Sequence, residues 1–219
     1  MDHPLQYPPS PANPHPALIN MFGIEDRDVL QRVEYAITAA ASRETIDVDL
    51  SIESLQHLHQ QLFGGVYPWA GMLRTFNMVK NQGHPDSQLR FCPHNLITDQ
   101  LNWAFDHFGT LKPPQTIESF AERSAALANV INRVHPFPEG NGRTNKMFLT
   151  QWSRQQGFPV NYLAWPKKDW LLSSAAAWKG NERVMQHLTV EHYQKANPTK
   201  AVAPPDPGLD KPQRRARTI

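Results

Sequence analysis

The chain of 219 residues has one cysteine, Cys92, so it can build neither an internal disulfide framework nor a cysteine-rich zinc site. Such usage fits a reducing compartment. No apolar run approaches the roughly 20 residues a membrane span needs, and residues 1–16 lack the basic and apolar regions of a signal peptide. Charge of one sign is scarce too. Against 22 Lys and Arg stand 20 Asp and Glu, a net charge of +2, and no basic face interleaved with aromatics is available for nucleic acid. The Walker spacing, Gly, four residues, then Gly-Lys-Ser/Thr, is absent, which removes nucleotide binding through a P-loop. Together these absences predict a soluble cytoplasmic protein with no membrane and no nucleic acid among its partners.

The length fits one domain with a single core. Proline is abundant, yet six of the 20 prolines precede Ala17 and five follow Asn197. We therefore expect a Pro-rich tail over 1–19, a folded domain over 20–196 and a Pro-rich basic tail over 197–219. Lys211, Arg214, Arg215 and Arg217 make that second tail a solvated basic end, with a recognition or export signal as the other reading. Between the tails the apolar spacing is helical almost throughout. Val29, Leu30, Val33, Ala36, Ile37 and Ala40 mark one face of a first helix over 26–41. Ile52, Leu55, Leu58 and Leu62 mark a second, expected to end in a left-handed cap at Gly64 or Gly65. Further faces come from Leu96 to Phe108, Phe120 to Val134 and Met147 to Trp152, followed by two shorter helices over 168–178 and 182–194. Only Met72 to Lys80 and Gln88 to Phe91 look extended, separated by turn formers. The fold class is all-α with one β-hairpin.

Chemistry concentrates in His135-Pro136-Phe137-Pro138-Glu139-Gly140-Asn141-Gly142-Arg143, between two periodic helices. Pro136 and Pro138 force the chain out of the first helix near His135. Gly140 and Gly142 let successive N–H groups turn inward as an anion nest, to which the next helix adds its positive N-terminus. Arg143 offers a fork of donors for phosphate oxygens, and Lys146, three residues on, adds a point charge on the same helical face. Glu139 beside a phosphate makes sense once Mg²⁺ is included, because that ion is commonly held by one or two carboxylates and substrate phosphates. A magnesium nucleotide is the expected ligand. His135 at the mouth of the cradle is the candidate general base, a role worth roughly 10²- to 10⁴-fold. A plain interhelical turn would call for none of this: His, acid, Gly-Asn-Gly and Arg in one order are more than a turn requires. Phe137 reads as a core anchor, and His57 and His59, with no third ligand, as helix-surface residues.

The run from His135 to Arg143 resembles the motif of the Fic family: His, any residue, Phe, any residue, Asp or Glu, Gly-Asn-Gly-Arg and, after two further residues, a second Arg. Asn20-Met21-Phe22-Gly23-Ile24 is similar to the approach to the first Fic helix, and Leu62 to Arg74 to the segment that leads into the family's flap. The resemblance covers roughly 20–193. It implies a Fic fold, a helical core whose β-hairpin flap, here 72–91, lies over the active site and registers a target protein by strand addition. A Pro at an edge position such as Thr75 or Met78 would then remove a donor and weaken docking of the target. The resemblance also implies that His135 is the base, Glu139 the Mg²⁺ ligand, Asn141 and Gly142, next to the Gly140 of the nest, the anion hole, and Arg143 the phosphate grip. The implied reaction moves AMP from ATP to a Tyr, Thr or Ser hydroxyl of a protein.

Lys146 stands where the family has its second Arg, which replaces a two-pronged grip on the γ-phosphate by a point contact. Fic proteins are often restrained by a helix carrying Ser or Thr, three residues, then Glu. No Ser or Thr of this chain has Glu four residues on, so the expected inhibitor is a separate small antitoxin whose Glu meets Lys146. The leading expectation is a bacterial toxin of this kind. The alternatives are an effector secreted into a host cell, a Fic phosphotransferase, and a non-catalytic nucleotide-binding regulator; Glu139 with Gly142 argues against the second, and intact His135 against the third.

Overall fold

Asp26 starts the first helix by accepting a hydrogen bond from the Val29 N–H at 2.8 Å, and α1 (Arg27–Ala41) follows. The computed structural model describes residues 4–8, 10, 13, 17–81 and 88–198. Within these lie seven α-helices and one hairpin: α2 (Ile52–Phe63), β1 (Val79–Asn81), β2 (Gln88–Arg90), α3 (Ile97–Thr110), α4 (Ile117–Val134), α5 (Asn141–Gln155), α6 (Lys167–Trp178) and α7 (Arg183–Ala196). Short 3₁₀ turns precede α3 at His94–Leu96 and α6 at Tyr162–Ala164. Ser51 caps α2 by accepting from Ser54 N–H. Thr116 and Ser119 form a reciprocal capping box on α4, each satisfying an N–H that the helix leaves unpaired.

Packing places α4 against α3, α5, α6 and α7, while α2 bridges α1, α3 and α5. Phe120, Leu127 and Ile131 of α4 meet Met147, Phe148 and Trp152 of α5 in the core. α5 is buried nearly all round, the pattern of a central helix. Its buried polar groups bond to main chain: Thr144 to Gly140 O, Thr150 to Lys146 O, Ser153 to Val160 O, and Asn145 to Ala128 O. Those bonds lower the cost of burying them, although among the described residues Asn145 Oδ1 has no partner. The N-terminus of α5 therefore comes from the interior of the domain, and the site built on it has a rigid base.

Three expectations change. The buried positions of α1 are Leu30, Glu34 and Thr38, so the inward stripe is rotated from the apolar one and Val29 is exposed. Gly64 ends α2 in the right-handed region at φ −61°; the left-handed glycines are elsewhere, at Gly71 and Gly140 among others. The first extended segment is a strand only over Val79–Asn81, because residues 72–78 are bound to the end of α4 through Arg74 instead of a neighbouring strand. The tail expected over 1–19 also makes contacts where it is described. Ile19 N–H donates to Leu5 O at 2.7 Å and Tyr7 N–H to Ala17 O at 3.1 Å, and Leu5 and Leu18 pack on the core. The turn over 82–87 and the tail from 199 onward lie outside the described residues.

Candidate active site

His135 closes α4 as its C-cap with φ 51° and ψ 62°. Among the described residues it is the only non-glycine with positive φ. Pro136 disfavours the right-handed region for the residue before it, and left-handed geometry costs roughly 1–2 kcal/mol outside glycine. Surrounding bonds hold it there: His135 N–H donates to Ile131 O at 2.9 Å, and His135 O accepts from Arg74 Nε at 2.8 Å. The ring stacks on Phe91, centroids 3.7 Å apart, so the imidazole lies against the end of the hairpin. Its Nδ1 is 3.3 Å from Asn132 O. A carbonyl only accepts, so Nδ1 carries a proton.

The loop after His135 is braced by Asn141. Its Oδ1 accepts from Phe137 N–H at 2.9 Å and its Nδ2 donates to Phe137 O at 2.7 Å, so the side chain is spent on the loop and only its backbone N–H is left to an anion. Gly140 precedes α5 with φ 79° and gives that helix no side-chain cap. The first helical bond is from Thr144 N–H to Gly140 O, which leaves the N–H groups of Asn141, Gly142 and Arg143 aimed off the helix end. An uncapped helix end of this kind suits an anion. Glycine is required at 140 by packing as well: a Cβ there would lie 2.4 Å from the Phe63 ring. At Gly142 a Cβ would meet only Trp170 Nε1 at 3.6 Å, so its smallness favours close approach of a ligand and not the apo fold. Glu139 is exposed, one carboxylate oxygen accepting from Gly140 N–H at 2.9 Å.

The two cations are drawn to different neighbours. Arg143 Nη2 lies 2.6 Å from Glu34 Oε1 and 3.7 Å from Glu139 Oε1, with the guanidinium over Phe63 at 4.6 Å. Lys146 donates instead to Trp165 O at 3.2 Å near the Trp170 ring, and burial lowers its pKa. Arg143 thus flanks the helix end on the side of α1 and α2, Lys146 on the side of α6. Glu34 and its partner Tyr67 were invisible to sequence reasoning, because Glu34 sits one step off the apolar stripe of α1.

With no third ligand in the sequence, His59 reads as a helix-surface residue; in the structure it is fully buried. Gly71 N–H donates to its Nδ1 at 2.9 Å, and its Nε2 is 3.0 Å from Glu139 O. A backbone N–H only donates, so the proton sits on Nε2 and His59 ties the loop before α5 to the segment that leads into the hairpin. The ring stacks on Phe137 at 4.0 Å. Desolvation, opposed by the bond to Glu139 and aided by the charge of Arg143, pushes its pKa down to about 4. Its spacing gives only one signal of this role: His59 continues the inward row of Leu55 and Leu62. Arg74 is a second missed residue, nearly fully buried, donating to the carbonyls of Phe76, Cys92, Val134 and His135. No cluster of three or more His, Cys, Asp or Glu suited to a metal occurs among the described residues, and none of their helices is long and apolar enough to cross a membrane.

Comparison with known proteins places these features in a family context. The profile of the Fic/DOC family matches residues 49–152. The chain is 30% identical over 165 residues to "Probable protein adenylyltransferase y4lH" of Sinorhizobium fredii, covering 74% of this chain and 80% of that one. It is 30% identical over 178 residues to "Protein adenylyltransferase VbhT" of Bartonella schoenbuchensis, covering 78% of this chain but only 36% of that longer one. The BepC effector of Bartonella tribocorum, solved with bound AMPPNP, superposes with a TM-score of 0.74 over 88% of this chain and 97% of its own, at 22% identity, a likeness of fold.

Proposed function

The chain belongs to the Fic/DOC family, and on that premise we propose that it is a protein adenylyltransferase, moving AMP from ATP to a Tyr, Thr or Ser hydroxyl of a target protein. One observation carries the reading: His135, the C-cap of α4, leads through a loop braced by Asn141 straight into the uncapped N-terminus of α5. In the reaction the target oxygen attacks the α-phosphorus while its proton passes to His135 Nε2. The bond from that phosphorus to the pyrophosphate oxygen breaks as the new ester bond forms. The N–H groups at the start of α5 and the Arg143 guanidinium stabilise the charge on the phosphate oxygens. BepC was solved with AMPPNP, an imido analogue of ATP. Glu139 fits a Mg²⁺ ligand, being an exposed single carboxylate next to the phosphate site; the ion would take its other ligands from phosphate and water and would neutralise the departing pyrophosphate. The deciding experiment incubates the protein in a lysate of its source with ATP labelled at the α or the γ phosphate. Label on protein from the α position alone supports adenylylation. Label from γ alone would make it a phosphotransferase, and no label in either case a binding module.

The same reading assigns partners. The target docks along the hairpin, and a separate small antitoxin restrains the enzyme by presenting a Glu to Lys146, as expected of a toxin in the bacterial cytoplasm. Delivery into a host cell is the rival setting, favoured by the Bartonella effectors among its structural neighbours. Because Lys146 donates to Trp165 O and offers one prong where Arg offers two, Lys146→Arg should tighten inhibition by a partner encoded beside this protein and Lys146→Ala should weaken it. Inhibition indifferent to residue 146, measured as transfer with and without that partner, would remove this contact from the account.

A further inference from the structure

We propose that Glu34 is a positioning residue for phosphate binding: held by Tyr67, its carboxylate fixes the Arg143 guanidinium so that the remaining donors of Arg143 face the nucleotide. This rests on the function proposed above. Glu34 comes from the middle of α1 and is only 6% exposed. Both carboxylate oxygens are committed, Oε1 to Arg143 Nη2 at 2.6 Å and Oε2 to the Tyr67 hydroxyl. Tyr67 is fixed in turn by stacking on Trp69 at 4.3 Å, and burial raises the pKa of its phenol so that it stays a donor. The guanidinium is then defined on two sides, its face by Phe63 and one edge by Glu34. An arginine on a helix terminus would otherwise lose several rotatable bonds on gripping a phosphate; here that ordering precedes binding. Among the described residues only Nη2 is engaged, which leaves Nη1 and Nε for phosphate oxygens.

The opposite role, Glu34 as a competitor that phosphate displaces, fits the burial less well. Withdrawing Arg143 would strand a carboxylate in the interior with the phenol as its one remaining partner, an unfavourable state. The pair therefore persists as the nucleotide enters, and Glu34 acts through Arg143 without touching substrate.

The test measures binding of ATP and of adenosine, which lacks phosphates, to the full chain and to Glu34→Gln, Tyr67→Phe, Arg143→Ala and the Glu34→Gln/Arg143→Ala pair. We expect Glu34→Gln to weaken ATP by about 10-fold or more, the value of a hydrogen bond to a charged group, with adenosine unchanged. Tyr67→Phe should give a smaller loss in the same direction, and the double variant should be no weaker than Arg143→Ala alone. Retained adenosine binding certifies the fold of each variant. Tighter ATP binding by Glu34→Gln would overturn the proposal in favour of competition, and losses that add in the double variant, or that fall equally on adenosine, would overturn it in favour of a purely structural pair. If Arg143→Ala binds ATP as the parent does, the phosphate-site reading itself fails.

Discussion

Residues at the mouth of α5 divide into those that react and those that hold the loop in shape. His135→Ala should leave ATP binding within about 2-fold of the parent while transfer falls by the 10²- to 10⁴-fold expected of a general base, as read by α-label on protein and by nucleotide titration in parallel. Transfer at the parental rate would show that another group takes the proton. Gly140 is the counterpart on the structural side. With φ 79° and a prospective Cβ 2.4 Å from Phe63, Gly140→Ala should cost about 2–5 kcal/mol from overpacking and left-handed strain together, measured by urea unfolding. A loss below about 0.5 kcal/mol, the range of an unconstrained surface change, would mean that the loop relaxes away from Phe63. The motif gave both residues away in the sequence, since their order and spacing are local. His59 and Glu34 were not legible, because what makes them part of the site is contact with segments 80 and 109 positions away.

Among the elements, the hairpin shows how a tertiary bond overrides local pattern. The extended look of residues 72–78 comes from side chains that suit a strand, but Arg74 N–H donates to Pro136 O and the guanidinium binds carbonyls from both hairpin legs and from the end of α4. Pairing begins only at Val79, opposite Arg90. Phe91 N–H donates to Met78 O, so by antiparallel alternation the ladder bonds recur at Lys80 with Leu89, while the N–H of Val79 points to the open edge. That corrects the choice of proline position: Met78 belongs to the ladder, Thr75 precedes it, and Val79 is the outward donor. Val79→Pro should reduce modification of a protein target by roughly 5-fold or more, about one hydrogen bond's worth, and leave ATP binding unchanged. Parallel loss of nucleotide binding would mean that the hairpin supports the fold and not docking. Helices were read within a few residues because their caps and periodic faces are local; the face of α1 was misread because its buried stripe contains Glu34 and Thr38.

For the molecule as a whole, His59 links α2, the phosphate loop and the base of the hairpin in one buried contact, and this makes stability depend on pH. Its pKa is pushed from the ordinary 6.5 down to about 4, chiefly by desolvation, so between those values the unfolded chain binds a proton that the folded chain refuses. Stability then rises with pH across that window. It is unaffected by His59 above about pH 6.5 and falls as the pH drops toward 4, by about 3 kcal/mol for a shift of that size, a sizeable part of the roughly 5–15 kcal/mol of an ordinary domain. Other groups titrate as well, so the measurement is comparative: urea unfolding of the parent and of His59→Gln at pH 7.5 and at pH 4.5. The variant begins less stable, having lost a ring that stacks on Phe137 and bridges Gly71 to Glu139, but it carries no group that charges in this window at position 59. The parent should therefore lose more stability than the variant on acidification, and the gap between them should narrow. Equal losses would show that His59 takes its proton as readily in the folded chain as in the unfolded one, in which case the bond from Gly71 N–H to Nδ1 cannot be what holds the loop to the hairpin.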